Sequence, residues 1–202
     1  DEESIPAVLF QERAGLQLPP STLEYGVTIA ASLARHFLLQ DRSVGFIAHS
    51  AHRELIQADR GERQLTKILE TLAVVNAQGA VPFSQVLTAE GEHLARHTVL
   101  LVITPSGDPA WVAALREVGR RGLYSTAVLL AAETFGPALP HRGALAELLI
   151  SGIPTHVVAN GQDIAAALAR PATALSAEPA TAQGRPAEAE MAAPYFRPVR
   201  YG

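Results

Sequence analysis

Val99-Leu-Leu-Val-Ile-Thr104, running directly into Pro105-Ser-Gly-Asp-Pro109, is the stretch that decides the fold. A run of five apolar residues closed by Thr104, rich in β-branched side chains and stopped by turn formers, predicts a strand buried on both faces. The following Asp108-Pro109 pair predicts a helix start: Asp caps free N–H groups and Pro fits the first turn. Gly122 is where that helix is expected to end. A buried strand feeding a helix through a tight loop is the repeating unit of a parallel α/β sheet.

Working outward, the same alternation runs from residue 5 to about residue 169. Ile5-Pro-Ala-Val-Leu-Phe10 predicts a first strand that runs into Gln11. Ser21-Thr-Leu-Glu24 is a capping box, and Leu23, Val27, Ala30, Ala34, Phe37 and Leu38 fall on one stripe of the helix it opens. Val44–His49 predicts a buried strand. Arg53–Ala58 predicts a short polar strand that pairs antiparallel to it through a turn at Ser50-Ala51-His52. Helices are expected over 62–77 and 83–96, then a strand over 125–131, a helix over 143–151, a strand over 154–159 and a short helix over 162–169. From Pro171 to Gly202, nine of the 32 residues are Ala and five are Pro, without apolar periodicity. That composition predicts a disordered tail behind a single domain spanning 1–170. Its end, Pro194-Tyr-Phe-Arg-Pro-Val-Arg-Tyr-Gly202, carries three aromatics and two arginines, suited to docking on a partner or on its own domain.

Composition narrows the function. With 202 residues and 48% hydrophobic content the chain buries one substantial core. A net charge of -4, with no Lys/Arg cluster, argues against nucleic acid and against an anionic membrane surface as partner. The absence of cysteine excludes disulfides, thiol catalysis and thiolate metal sites. No apolar run approaches the roughly 18 residues needed to span a bilayer. The chain begins Asp1-Glu-Glu-Ser without Met, and an upstream region that holds any anchor is expected.

In open α/β sheets ligands bind at the carboxyl ends of the strands. Here those ends read Gln11-Glu12 and Thr104-Pro-Ser106-Gly-Asp108. Thr104, Ser106 and Gly107 lead into a helix N-terminus, which favours an anion or a partner's carboxylate. Gln11, Glu12, Thr104, Ser106 and Asp108 are therefore the candidate binding residues, and the shortage of carboxylates points to binding rather than catalysis. Phosphate-loop and G-x-S-x-G motifs are absent, and no cofactor is expected. His93 with His97, and His49 with His52, have zinc-compatible spacings but no predictable third ligand.

Four segments in order carry a resemblance: Ser21-Thr-Leu-Glu-Tyr-Gly-Val-Thr-Ile-Ala-Ala-Ser-Leu-Ala34, Val44-Gly-Phe-Ile47, Gln64-Leu-Thr-Lys-Ile-Leu-Glu-Thr-Leu-Ala73 and Leu101-Val-Ile-Thr104. Together they resemble the domain-of-unknown-function 58 family, whose core is similar to a von Willebrand factor A domain, over residues 5–169. The resemblance implies a Rossmann-like three-layer α/β fold, mostly parallel, with helices on both faces and Arg53–Ala58 as the antiparallel edge strand. Von Willebrand A domains hold a divalent cation with an Asp-x-Ser-x-Ser loop, a Thr and a further Asp, because hard cations need clustered oxygens. The corresponding loops here, Gln11-Glu-Arg-Ala-Gly15, Gln78-Gly-Ala-Val-Pro82 and Thr104-Pro-Ser-Gly-Asp108, match none of these, so the implied metal site is degenerate. The resemblance further implies membrane-spanning helices upstream, a cytoplasmic-facing domain and association with a MoxR-type AAA+ ATPase. The expected function is thus a non-enzymatic protein-interaction module. A hydrolase or transferase that takes an anionic ligand at the Thr104–Asp108 loop is the alternative, and a purely structural domain in an assembly a third.

Overall fold

The structure, a computed structural model, describes residues 19–50, 52–79, 81–96 and 98–172. The expected strand over 5–10, Gln11, Glu12, His97 and the tail from residue 173 lie outside the described residues.

The capping Ser21 behaves as expected: its Oγ accepts the Leu23 N–H and opens α1 (Thr22–Leu39). Glu24 is exposed and does not close the capping box. The helix buries Tyr25, Ile29, Ala34 and Leu38 instead of one narrow stripe, and Phe37 remains 36% exposed. Two partners explain the wider arc. Tyr25, Ile29 and Leu33 pack on Val128, Leu130 and Val158, whereas Ala34 and Leu38 turn to Ile68, Leu72 and Phe46.

The chain continues through β1 (Val44–His49), β2 (Arg53–Asp59), α2 (Glu62–Val74), α3 (Phe83–Gly91), β3 (Val99–Thr104), α4 (Ala110–Arg120), β4 (Tyr124–Leu130), a 3-10 turn (Ala132–Thr134), α5 (Arg142–Ile150), β5 (Thr155–Val158) and α6 (Ile164–Leu168). β1 and β2 form an antiparallel pair; β3, β4 and β5 form a parallel sheet in that order. β3 has the expected bounds, but it stands at the end of the described three-stranded sheet and is not buried along its length, with Val99 66% exposed. Gly122 ends α4 with φ 91°. α3 is shorter than expected. It stops at Gly91, which lies so close to α4 that an added Cβ would meet Val118 Cγ2 at 2.5 Å. His93 therefore sits exposed in the turn beyond, not on a helix face.

Strand periodicity places the layers. Val102, Ala127 and Leu129 face α3, α4 and α5 through Leu87, Leu115 and Leu148. The alternate residues Ile103, Val128 and Leu130 face α1 and α6. The β3-α4-β4 and β4-α5-β5 crossovers move in one direction along the sheet and put both helices on one face, as a fixed crossover hand requires.

The β1–β2 hairpin is fastened at both ends. A bulge between Val44 and Phe46 breaks its ladder, and Gln64, 1% exposed, donates from Nε2 to the Val44 and Gln57 carbonyls. At the other end His49 and Arg53 are the last register pair. Both reach Glu90 of α3: Arg53 Nε and Nη2 donate to its two oxygens at 2.6 and 2.8 Å, and His49 Nε2 lies 2.9 Å from Oε1. The Glu90 side chain is 10% exposed. The Arg53 guanidinium, helped by His49, outweighs burial and holds its carboxyl at about 2 instead of the ordinary 4.5.

A depressed carboxyl pKa stabilises the fold above the unfolded-state value, and that contribution fades as pH falls through the folded-state value. Glu90→Gln is accordingly expected to cost about 3 kcal/mol in urea unfolding at pH 7. The wild-type advantage should shrink steadily between pH 4.5 and about 2. An unchanged difference across that window would show that the carboxylate charge does not fasten the hairpin.

Candidate functional site

Three loops and one helix start converge at the carboxyl ends of β3, β4 and β5. Gly26 of α1 sits over Ile103 and Leu130, and the Tyr25 hydroxyl accepts the Gly161 N–H at 2.9 Å. Tyr25 also packs edge-on against Phe135, centroid to centroid 4.9 Å. The N-terminus of α1 therefore stands at the same edge as residues 104–109, 131–141 and 159–163.

The loop after β3 is tightly self-bonded. Buried Thr104 accepts the Ser106 N–H on its Oγ1 at 3.2 Å. The Ser106 carbonyl accepts from the indole of Trp111, itself 1% exposed and stacked edge-on against Phe83. Asp108 accepts the Ala110 N–H at 2.9 Å, so it caps the first turn as expected, although Pro109 occupies the cap position of α4. Gly107 has no room for a side chain: an added Cβ would meet the Leu139 and Pro140 carbonyl oxygens at 2.5 and 2.6 Å. That close approach locks the loop after β3 to the loop after β4.

The second loop contains a pair that local sequence patterns do not announce. Glu133 accepts the His141 backbone N–H on both oxygens, at 3.4 and 3.3 Å, and lies 2.5 Å from His141 Nδ1. His141 is 3% exposed and Glu133 is 27% exposed at its side chain. Burial pushes the Glu133 carboxyl up, but hydrogen bonds from its own backbone and from His141 outweigh it and hold the carboxyl below its ordinary value. The eight-residue separation across an irregular loop left no periodic signal; only the residue types were visible. The third loop is closed by Gln162, whose Oε1 accepts the Ala159 N–H, and by Asp163, which caps α6 through Ala166.

Of the five candidate residues, Thr104, Ser106 and Asp108 are brought together at this edge, with Thr104 buried, Ser106 half-buried and Asp108 exposed. Gln11 and Glu12 lie outside the described residues. His49 is engaged by Glu90, while His52 is exposed. Among the described residues no group of three or more His, Asp or Glu side chains is arranged to hold a metal ion, and no helix is long and apolar enough to cross a membrane. A groove of about 520 Å3 lies elsewhere, between β2 and α2, lined by Leu55, Gln57, Gln64, Lys67 and Glu70 among others. Comparison with protein-family models, with curated proteins and with solved structures gave no match.

Gly107→Ala is expected to separate the two loops and destabilise the fold by about 1 to 3 kcal/mol, the usual cost of forced overpacking. Amide exchange should rise selectively at Ser106 and at His141. A neutral substitution would mean that the close approach of 107 to 139–140 is not a constraint.

Proposed function

We propose that this domain is a non-enzymatic protein-interaction module that presents the carboxyl edge of β3–β5 to a protein partner, a MoxR-type AAA+ ATPase. The observation that carries this reading is how the polar groups of the edge are used. Thr104, Asp108, Glu133, Tyr25, Gln162 and Asp163 each bond a neighbouring backbone N–H. Such groups stiffen a surface; they are not poised nucleophiles or bases. A preorganised surface of short, mutually braced loops loses little entropy when a partner docks.

The same reading treats the β1–β2 pair and the β3–β5 sheet as parts of one Rossmann-like, von Willebrand A-type layer with β2 as its antiparallel edge. Support comes from α1, which packs on β1 as well as on β3 and β4, and from helices on both faces of β3–β5. Partner binding on this account is independent of a divalent cation, and the domain faces the cytoplasm from a membrane-tethered protein.

An enzymatic reading has one observation in its favour. The Glu133–His141 pair is a carboxylate-oriented imidazole close to the Thr104–Asp108 loop, the arrangement that supports acid–base chemistry. It predicts a ligand at that loop whose turnover depends on His141.

The test is capture of the purified ATPase, preloaded with nucleotide, by domain that has been stripped with EDTA and dialysed. Undiminished capture is expected. Ser106→Ala combined with Asp108→Arg should weaken it at least about tenfold, or 1.4 kcal/mol, with the fold intact. Capture that needs added magnesium, or that ignores the double substitution, would overturn the assignment. Unaffected binding by His141→Gln would separate it from the enzymatic reading.

A further inference from the structure

The turn between β5 and α6 sets an asparagine and a glycine side by side at the carboxyl edge. Ala159-Asn160-Gly161-Gln162 closes on itself, the Gln162 N–H donating to the Ala159 carbonyl at 3.2 Å. Gly161 has φ 76°, the value a type II turn needs at that position and one that glycine takes without strain. The turn therefore calls for glycine directly after Asn160, and a glycine leaves its backbone nitrogen unshielded by any side chain. Asn160 and Gly161 are both exposed, so water reaches the pair. Asn76, the other asparagine of the chain, is exposed too but is followed by Ala77. Three hydrogen bonds hold the Asn160-Gly161 pair. The Asn160 N–H donates to Thr134 Oγ1 at 2.9 Å, and Asn160 Nδ2 donates to the Thr134 carbonyl at 3.3 Å. The Gly161 N–H donates to the hydroxyl of Tyr25, a residue of α1 that is 4% exposed.

We propose that Asn160 is a site of deamidation in the folded protein, with the Tyr25 hydroxyl setting its rate. The Gly161 nitrogen gives up its proton to hydroxide or buffer and attacks Asn160 Cγ. A C–N bond forms, the Cγ–Nδ2 bond breaks, and Nδ2 leaves as ammonia with a proton from solvent; the product is a five-membered succinimide. Water then adds to one of its two carbonyl carbons and opens the ring, which leaves aspartate or isoaspartate at position 160. The only co-reactant is water. The Tyr25 hydroxyl governs the first step because it holds the attacking nitrogen through the very proton that must leave. The products change the edge in two ways. Loss of Nδ2 removes the donor to the Thr134 carbonyl and puts a carboxylate where that amide stood, in an edge that already carries Glu133 and Asp163. In the isoaspartate form the main chain is also longer by a methylene before Gly161, which shifts its N–H away from Tyr25. Deamidation thus loosens the turn from the loop after β4 and from the start of α1.

The test incubates the full chain at mildly alkaline pH, native and in urea, and follows aspartate and isoaspartate at positions 160 and 76 by peptide mapping. Conversion is expected at Asn160 in the native chain, ahead of Asn76. It should run at least about fivefold slower than in urea, the factor that one ordinary hydrogen bond is worth. Tyr25→Phe keeps the ring against Phe135 and removes the acceptor, so the native variant should convert about fivefold faster than the native wild type. Its urea transition checks that the fold persists, and the native-against-urea comparison of the wild type needs no substitution at all. Asn160 left intact in the native chain while the unfolded chain reacts to completion would overturn the site. Equal native rates for wild type and Tyr25→Phe, or equal rates in native and unfolded wild type, would overturn the role of Tyr25.

Discussion

Burial of β4 on both of its faces is the constraint on which the rest of the molecule depends. Ala127, Val128, Leu129 and Leu130 are each at most 1% exposed, with β3 on one side and β5 on the other. Fully burying a Val or Leu side chain contributes about 1.5 to 3 kcal/mol. It also requires a helical layer on each side, because an uncovered face would return that area to water. α4 and α5 supply one layer, and α1 with α6 supplies much of the other. Once the helices are fixed in this way, the loops that join strand ends to helix starts must gather at one edge. The candidate site is a consequence of the core, not an addition to it.

The edge so formed is rigid because its loops brace one another through backbone. Gly107 against Leu139 and Pro140 is a contact of main chain on main chain that no side chain could replace. Glu133 then holds the start of α5 through the His141 N–H and ring. The hairpin is held differently, by a buried carboxylate with three polar contacts at one end and a buried amide at the other. On the proposed reading, such a braced surface suits recognition of a preformed partner.

How much of this was legible in the sequence depended on how local each signal was. The bounds of β3, the Ser21 cap, the helix stop at Gly122 and the antiparallel hairpin were legible because each is fixed by neighbours in the chain, whereas the exposure of Val99 follows from the position of β3 at the end of the described sheet. The buried stripe of α1 was misjudged at Phe37 and missed at Tyr25 and Ile29. A single helix that serves two different sets of strands does not keep one period. The expected α3 ran past Gly91, where the observed helix ends close against Val118 of α4. Within the candidate site, Thr104, Ser106 and Asp108 were visible as a loop before a helix, but the 107-to-140 contact and the Glu133–His141 pair were not. The first depends on the fold bringing two loops together, the second on the path of a single irregular loop.

The central claim is that the braced carboxyl edge is the surface a partner uses. Hydrogen exchange on the full chain, with and without a saturating MoxR-type AAA+ ATPase, addresses it residue by residue. The account predicts protection confined to 104–109, 133–141 and the start of α1, with the β1–β2 hairpin unaffected. Protection centred on the groove between β2 and α2, with 104–109 unchanged, would contradict it.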